Sequence, residues 1–252
     1  MMGEFSQSIG NRVAIIVGAA GGMGRAIAAR LAVAGAKLAV IDLDADAVRA
    51  AAAESGAGDA LTCAADITDR SQVEIAMRQV EQRFGGADML VNAAGINTRE
   101  RTLDTMAPEQ WERVLAVDLN GVFHCIQAAL PLLHARGGGV IVTISSAAGV
   151  LTSPGAGTHY CAAKRALIAL NESINLEQAG RGIRACVVCP GEVNTPLVAV
   201  RPVPPSPERR AAALQPGDIA EVVHFIVTRP ARVTISDIIM WPLAQLSGKY
   251  PI

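Results

Sequence analysis

A tyrosine and a lysine one helical turn apart, in Tyr160-Cys161-Ala162-Ala163-Lys164, bring together two of the scarcest residue types in the chain. It contains two tyrosines (Tyr160 and Tyr250) and three lysines (Lys37, Lys164 and Lys249) against nineteen arginines. Chance gives this spacing in roughly one such chain in forty. Residues i and i+4 share a helix face, so the ammonium can sit beside the phenol. A phenol with a pKa near ~10 is a poor base at neutral pH, and a nearby cation favours the phenolate. Tyr160 would then exchange a proton with an alcohol or a carbonyl. A surface tyrosine beside a lysine whose stem covers apolar surface has the same spacing, so the rest of the chain has to decide.

A second cluster, Gly18-Ala19-Ala20-Gly21-Gly22-Met23-Gly24, sits between an apolar run and an Ala-rich stretch. Glycines there let the backbone turn tightly and approach a pyrophosphate, with the following helix N-terminus facing the phosphates. Asp42, eighteen residues beyond Gly24, is placed to accept hydrogen bonds from the ribose hydroxyls of an adenosine. A 2′-phosphate would meet carboxylate repulsion there, so the expected cofactor is NAD rather than NADP. Arg25 argues for NADP if it meets a phosphate, and is otherwise a solvated or structural arginine. Asp66 either reaches the adenine edge or caps the helix beginning near Arg70.

The elements that must position these residues alternate. Arg12–Val17 reads as a strand, Gly22–Ala34 as a helix and Lys37–Ile41 as a second strand. Strands follow near Ala60–Ala65, Asp88–Val91, Val140–Ser145 and Ile183–Cys189, with helices near Arg70–Phe84, Pro108–Ala135 and His159–Ala179. Such crossovers predict an α/β fold, a Rossmann-type doubly wound parallel sheet with helices on both faces. Pro196–Pro216, with four prolines at 202, 204, 205 and 207 and with Arg201, Arg209 and Arg210, suits a mobile loop over a cleft. Gly217–Val227 then looks helical and Thr234–Met240 looks like a closing strand. No linker or internal repeat divides residues 1–252, so one domain is expected.

Composition narrows the partners. The chain has 252 residues, 51% hydrophobic and 18% charged, which is enough for a large packed core. A net charge of −1 gives no footprint for nucleic acid or an anionic membrane surface, leaving a small-molecule partner. The first residues lack an apolar targeting core, and the apolar runs read as broken well short of membrane-spanning length, so a cytoplasmic location is expected. Cys186-Val187-Val188-Cys189 lies in a β-like run that points the two thiols to opposite faces, which favours packing over metal or redox use. No metal is expected.

Taken together, these residues resemble the short-chain dehydrogenase/reductase family, in its single-domain Tyr-x-x-x-Lys subgroup, over nearly the whole length. The family's Thr-Gly-x-x-x-Gly-x-Gly turn is similar to Val17–Gly24, with valine in place of threonine. Its Asn-Asn-Ala-Gly segment is similar to Asn92-Ala93-Ala94-Gly95, with alanine in place of the second asparagine. Both changes touch hydrogen bonding around the central sheet rather than the glycines. The family's catalytic serine resembles Ser146, with Ser145 facing the other way on the strand alternation. Its Pro-Gly-x-x-x-Thr segment matches Pro190–Thr195, which implies that the Val193 backbone and Thr195 hydroxyl hold a nicotinamide carboxamide. The resemblance extends the dinucleotide site to Met23, Ile67, Asn92, Gly95 and Pro190, with Tyr160 and Lys164 also touching it.

One departure bears on the chemistry. The family's asparagine, which holds a water continuing the proton path from the lysine, belongs in a segment that here reads Val117-Asp118-Leu119-Asn120-Gly121. Ungapped spacing back from Ser146 puts Asp118, not Asn120, at that position. The resemblance implies reversible hydride transfer between a secondary alcohol, or its ketone, and NAD. Tyr160 is the general base or acid, Lys164 lowers its pKa and binds the nicotinamide ribose, and Ser146 donates to the substrate oxygen. A homodimer or homotetramer is also implied. An NADPH-dependent carbonyl reductase and a catalytically silent dinucleotide-binding homologue remain as alternatives. For substrate recognition, His159 lines the pocket or lies on the helix surface, the loop arginines meet an anion or are solvated, and Trp241 is a pocket wall or an oligomer contact.

Overall fold

The computed structural model describes residues 8–249; residues 1–7 and 250–252, Tyr250 among them, lie outside the described residues. The first half runs β1 (Val13–Val17), α1 (Gly22–Val33), β2 (Lys37–Asp42), α2 (Ala45–Glu54), β3 (Leu61–Ala64), α3 (Arg70–Phe84) and β4 (Met89–Asn92). A long helical run then passes through α4 (Pro108–Leu115), a π-helical turn (Ala116–Gly121) and α5 (Val122–Ala135). Next come β5 (Gly139–Ile144), α6 (Ala147–Val150), α7 (Thr158–Gln178) and β6 (Ile183–Pro190). A 3₁₀ turn (Pro196–Val200), α8 (Pro207–Ala212), α9 (Pro216–Val227), β7 (Asp237–Met240) and α10 (Leu243–Leu246) complete the described chain.

The seven strands pair in parallel in the order β3-β2-β1-β4-β5-β6-β7, the doubly wound sheet expected. Connections leave β1 in one direction and β4 in the other, which opens a crevice at the carboxyl ends of those strands. Register aligns those ends: Val17 lies beside Asn92, and Asn92 beside Thr143. Both faces are covered, so β1 is apolar at every position. Ala14 and Ile16 pack with Leu31 of α1 and Val223 of α9, and Val13, Ile15 and Val17 with Val80 of α3 and Leu167 of α7.

Three sequence expectations need correction. Helix α2 was not anticipated, although Asp44 caps it by accepting from the Asp46 and Ala47 amides. The Pro196–Pro216 segment is not an open loop: it carries a 3₁₀ turn and α8, and Val193 forms a parallel bridge with Leu214 beside it. Pro108–Ala135 is the one long helix expected, but its apolar run does not fall short of membrane-spanning length: by length and composition it is long and apolar enough to cross a membrane, with mean hydropathy 1.3. The π turn carries the helix through Asn120-Gly121, and Val122, Cys125, Ala129 and Leu133 are buried in the core on one sheet face. Cys186 and Cys189 are buried and unpaired, as expected for packing.

Candidate active site

The carboxyl end of β5 delivers Ser146, and α7 delivers Tyr160 and Lys164. Ser146 caps α6, its hydroxyl accepting from the Ala148 amide at 3.1 Å. Helix α7 is held to β5 by the Ser145 hydroxyl, which donates to the Lys164 carbonyl at 2.8 Å, so that hydroxyl is committed to α7 although Ser145 also borders the cavity. Lys164 Nζ lies 5.4 Å from the Tyr160 ring centroid. Ser146 and Tyr160 line one cavity of about 890 Å³. Lys164 is buried beneath them, at 3% exposure.

Electrostatics here differ from the simple pair. Burial pushes the Tyr160 phenol above its ordinary value and Asp118 adds to that, while Lys164 pulls it down without prevailing. The expected net lowering is therefore corrected: the phenol lies above its ordinary value. Burial also opposes the charge on Lys164, yet Asp118 and Tyr160 override it and hold the ammonium protonated. Asp118 is fully buried, its Oδ2 3.1 Å from Lys164 Nζ and its Oδ1 accepting from the Ile96 amide at 2.7 Å. Burial pushes its own carboxyl up against the pull of Lys164.

Asp118, and not the exposed Asn120, is thus the residue that meets Lys164. The π turn supplies the local reason: one extra residue per turn re-aims the inner face. Gly95 closes over the pair, since a Cβ there would lie 3.0 Å from Lys164 Nζ and 3.2 Å from Asp118 Oδ2.

On the other side of the crevice the glycine turn is dictated by backbone approach. Gly18 has φ +78°, and a Cβ on it would come within 2.4 Å of the Ala94 amide nitrogen. A Cβ on Gly24 would lie 2.1 Å from the Gly18 carbonyl oxygen. Helices α2 and α3 are capped by aspartates, whereas α1 begins at Gly21–Gly22 with no side-chain cap and no acid in its first turn. That uncapped, glycine-bared N-terminus fits a dinucleotide pyrophosphate. Asp42 ends β2 and turns to the same place, accepting from the Ala20 and Leu43 amides at 2.8 Å each. Arg25 is spent elsewhere, on the Ala20 carbonyl at 2.9 Å and on Glu54 at 2.5 Å, the structural reading.

Asp66 does not cap α3; Asp69 does, accepting from the Ser71 and Gln72 amides. Asp66 instead accepts from the Thr68 amide and hydroxyl at 2.8 and 2.7 Å, half-buried at the carboxyl end of β3. Ile67 is buried against Gly121 of the π turn. Asn92 is buried with its Nδ2 3.4 Å from the Thr143 hydroxyl and its Oδ1 without a donor, where Val17 and Ala93 offer no polar side chain. Met23, Pro190, Val193 and Thr195 line the cavity, and Thr195 packs 3.1 Å from the place a Gly22 Cβ would take.

The substrate side holds what sequence reasoning missed. His159 is neither on the helix surface nor lining the cavity: it is fully buried, with Nε2 2.6 Å from the Thr98 hydroxyl. Glu192, inside the Pro-Gly motif, is buried between Arg201 and Arg209, so those two arginines are not solvated charges. Arg210 alone behaves as expected, exposed and bonded to Asn194. Trp241 is a cavity wall. Arg101 also lines the cavity, and its sequence neighbourhood, Arg99-Glu100-Arg101, carries no sign of burial.

A parallel α/β sheet with a glycine turn at the crevice, and a serine, tyrosine and lysine at the facing strand ends, defines a nucleotide-dependent oxidoreductase fold. Residues 12–202 match the short chain dehydrogenase family model, and the chain belongs to the short-chain dehydrogenase/reductase family, oxidoreductases that act on alcohols and ketones with a nicotinamide dinucleotide. It is 38% identical over 196 residues to 2-(R)-hydroxypropyl-CoM dehydrogenase of Xanthobacter autotrophicus, covering 76% of this chain and 78% of that one. It is 39% identical over 191 residues to D-beta-hydroxybutyrate dehydrogenase of Rhizobium meliloti, covering 74% and 73%. The fold superposes on 3-ketoacyl-(acyl-carrier-protein) reductase from Brucella melitensis complexed with NADH, with a TM-score of 0.84, 28% identity, and 92% and 97% of the two chains covered.

Proposed function

We propose that the protein transfers hydride reversibly between a secondary alcohol and NAD, with Tyr160 as the proton-transfer residue. The observation that carries this is the stack in which buried Asp118 holds Lys164 protonated beneath the Tyr160 ring, with Tyr160 and Ser146 lining one cavity. A nicotinamide dinucleotide bound along the crevice supplies the hydride acceptor or donor. In the oxidative direction the Tyr160 phenolate takes the substrate hydroxyl proton as hydride leaves the same carbon; in reverse the phenol protonates the forming alkoxide. Ser146 donates a hydrogen bond to that oxygen, an electrostatic contribution to the transition state. Lys164 favours the phenolate at the moment of transfer, and Asp118 fixes Lys164 in place and charge.

The preference for NAD over NADP rests on Asp42 and Arg25. A carboxylate fixed beside the glycine turn opposes a 2′-phosphate, and Arg25, tied to Glu54, is not available to attract one. By analogy with relatives named for hydroxypropyl-CoM and hydroxybutyrate, small secondary alcohols are the first substrates to try. Parallel fluorescence titrations with NADH and NADPH test the cofactor. NADH should bind at least about tenfold more tightly, and Asp42→Ala should erase the difference; tighter NADPH binding by the wild type would overturn the role of Asp42.

A further inference from the structure

The cavity that holds Tyr160 carries more positive charge than its own acids cancel. Its lining includes Arg99, Arg101, Arg201 and Arg209 but only Glu100 and Glu192. Glu100 is engaged by Gln110 at 2.6 Å, and Glu192 is taken by Arg201 Nη1 at 2.7 Å and Arg209 Nη2 at 2.6 Å. Arg101 is only 8% exposed, and among the described residues no carboxylate lies within ion-pair distance of it. Its Nε donates to the Thr98 carbonyl at 3.0 Å and its Nη1 to the Gly155 carbonyl at 2.5 Å. Two neutral carbonyls orient the guanidinium plane without cancelling its charge, and burying such a cation is costly. Burial and the nearby Arg201 accordingly press its pKa downward, against a smaller upward pull from Tyr160.

A structural staple does not account for this charge. Asn97 already ties the same two segments together with a neutral amide, donating to the Ala156 carbonyl at 2.9 Å. Nor do the dinucleotide's phosphates, since the glycine turn and uncapped α1 that would hold them lie at the ends of β1 and β2, whereas Arg101 packs on the loop between α6 and α7.

We propose that Arg101 receives an oxyanion of the substrate, a carboxylate or a sulfonate, with Arg201 reinforcing the field. This rests on the reading of the cavity as the alcohol-binding site beside Tyr160. A planar guanidinium already oriented by two carbonyls suits an oxyanion better than a lysine would, because less freedom is lost on pairing. Hydroxy acids or hydroxy sulfonates are then the substrates, rather than neutral alcohols or sugars.

The test is calorimetric titration of the full chain, with and without NADH, using butyrate, 1-propanesulfonate and neutral butyramide. At least one anion should bind about tenfold more tightly than butyramide, and which one does so identifies the oxyanion. Arg101→Gln should remove that preference while leaving NADH affinity unchanged. If Arg101→Gln does not fold, Arg101→Lys, which keeps the charge but loses the fork, decides. Anion affinity should then fall about threefold or more with butyramide unchanged, and an equal change in all three overturns the proposal. Butyramide binding as tightly as both anions, or a preference that survives Arg101→Gln, also overturns it. Anion preference without any NADH binding would leave the oxyanion site standing and remove the hydride-transfer reading; NADH binding without anion preference would do the reverse.

Discussion

Along the dinucleotide side of the crevice the shape is made by backbone, whereas along the substrate side it is made by side chains drawn from segments far apart in sequence. Gly18 and Gly24 leave no room for a Cβ, so the turn is fixed by which residue types can occupy it. The opposite wall gathers Arg101 from beyond β4, Glu192 after β6, and Arg201 and Arg209 from the segment before α9. The first wall constrains sequence tightly because a Cβ would clash there; the second is built from Arg101, Glu192, Arg201 and Arg209, all of which lie outside the strands. A fold shared with enzymes of different substrates is what such a division of labour permits.

Substitutions on the two walls should therefore fail in different ways. Gly24→Ala places a methyl against the Gly18 carbonyl and should cost on the order of 4 kcal/mol or more, with dinucleotide binding lost. A denaturation midpoint near wild type would show that the turn has room the geometry denies. Glu192→Gln leaves Arg201 and Arg209 facing each other and should cost about 1–3 kcal/mol. Limited proteolysis should then cut faster between residues 196 and 212 while NADH affinity stays put; a drop in NADH affinity would mean the walls are not separable.

Smaller effects sharpen the same contrast. Asp69→Ala removes the α3 cap and should cost about 1 kcal/mol, a melting shift of roughly 2–4 °C. Asp66→Ala, which removes no cap, should leave α3 intact, and equal melting shifts for the two would contradict the capping assignment. Asp118→Asn deletes a negative charge that raises the Tyr160 pKa. Phenolate should then form at lower pH, so both the rise of alcohol oxidation and the fall of ketone reduction with increasing pH should move to lower pH. A shift to higher pH, or none, would show that Asp118 does not act on Tyr160 through its charge.

The same division governs what the sequence discloses. Tyr160, Lys164, the glycine turn and Asp42 are legible because their chemistry depends on short spacings and on the strand-turn-helix pattern around them. The strand series is legible for the same reason, since burial on both sheet faces makes each strand a continuous apolar run. Helix α2 was legible in principle, since Asp44 marks its start and an Ala-rich stretch with Val48, Ala51 and Ala52 on its buried face follows. Arg101, His159 and Glu192 were illegible because their burial is decided by segments 50 or more residues away in two cases, such as Gly155 for Arg101 and Thr98 for His159. The direction of the Tyr160 shift was misread for a related reason: the i+4 lysine is visible in sequence, but the burial and the Asp118 charge that outweigh it are tertiary.

The central claim is that Tyr160 moves the proton while other residues hold the cofactor. Its most direct test is turnover and NADH affinity measured side by side on Tyr160→Phe, using a secondary alcohol that the wild type oxidises. The account predicts a loss of turnover of roughly 10²–10⁴-fold, with NADH affinity within about twofold of wild type. Retained turnover, or an equal collapse of NADH binding, would contradict it.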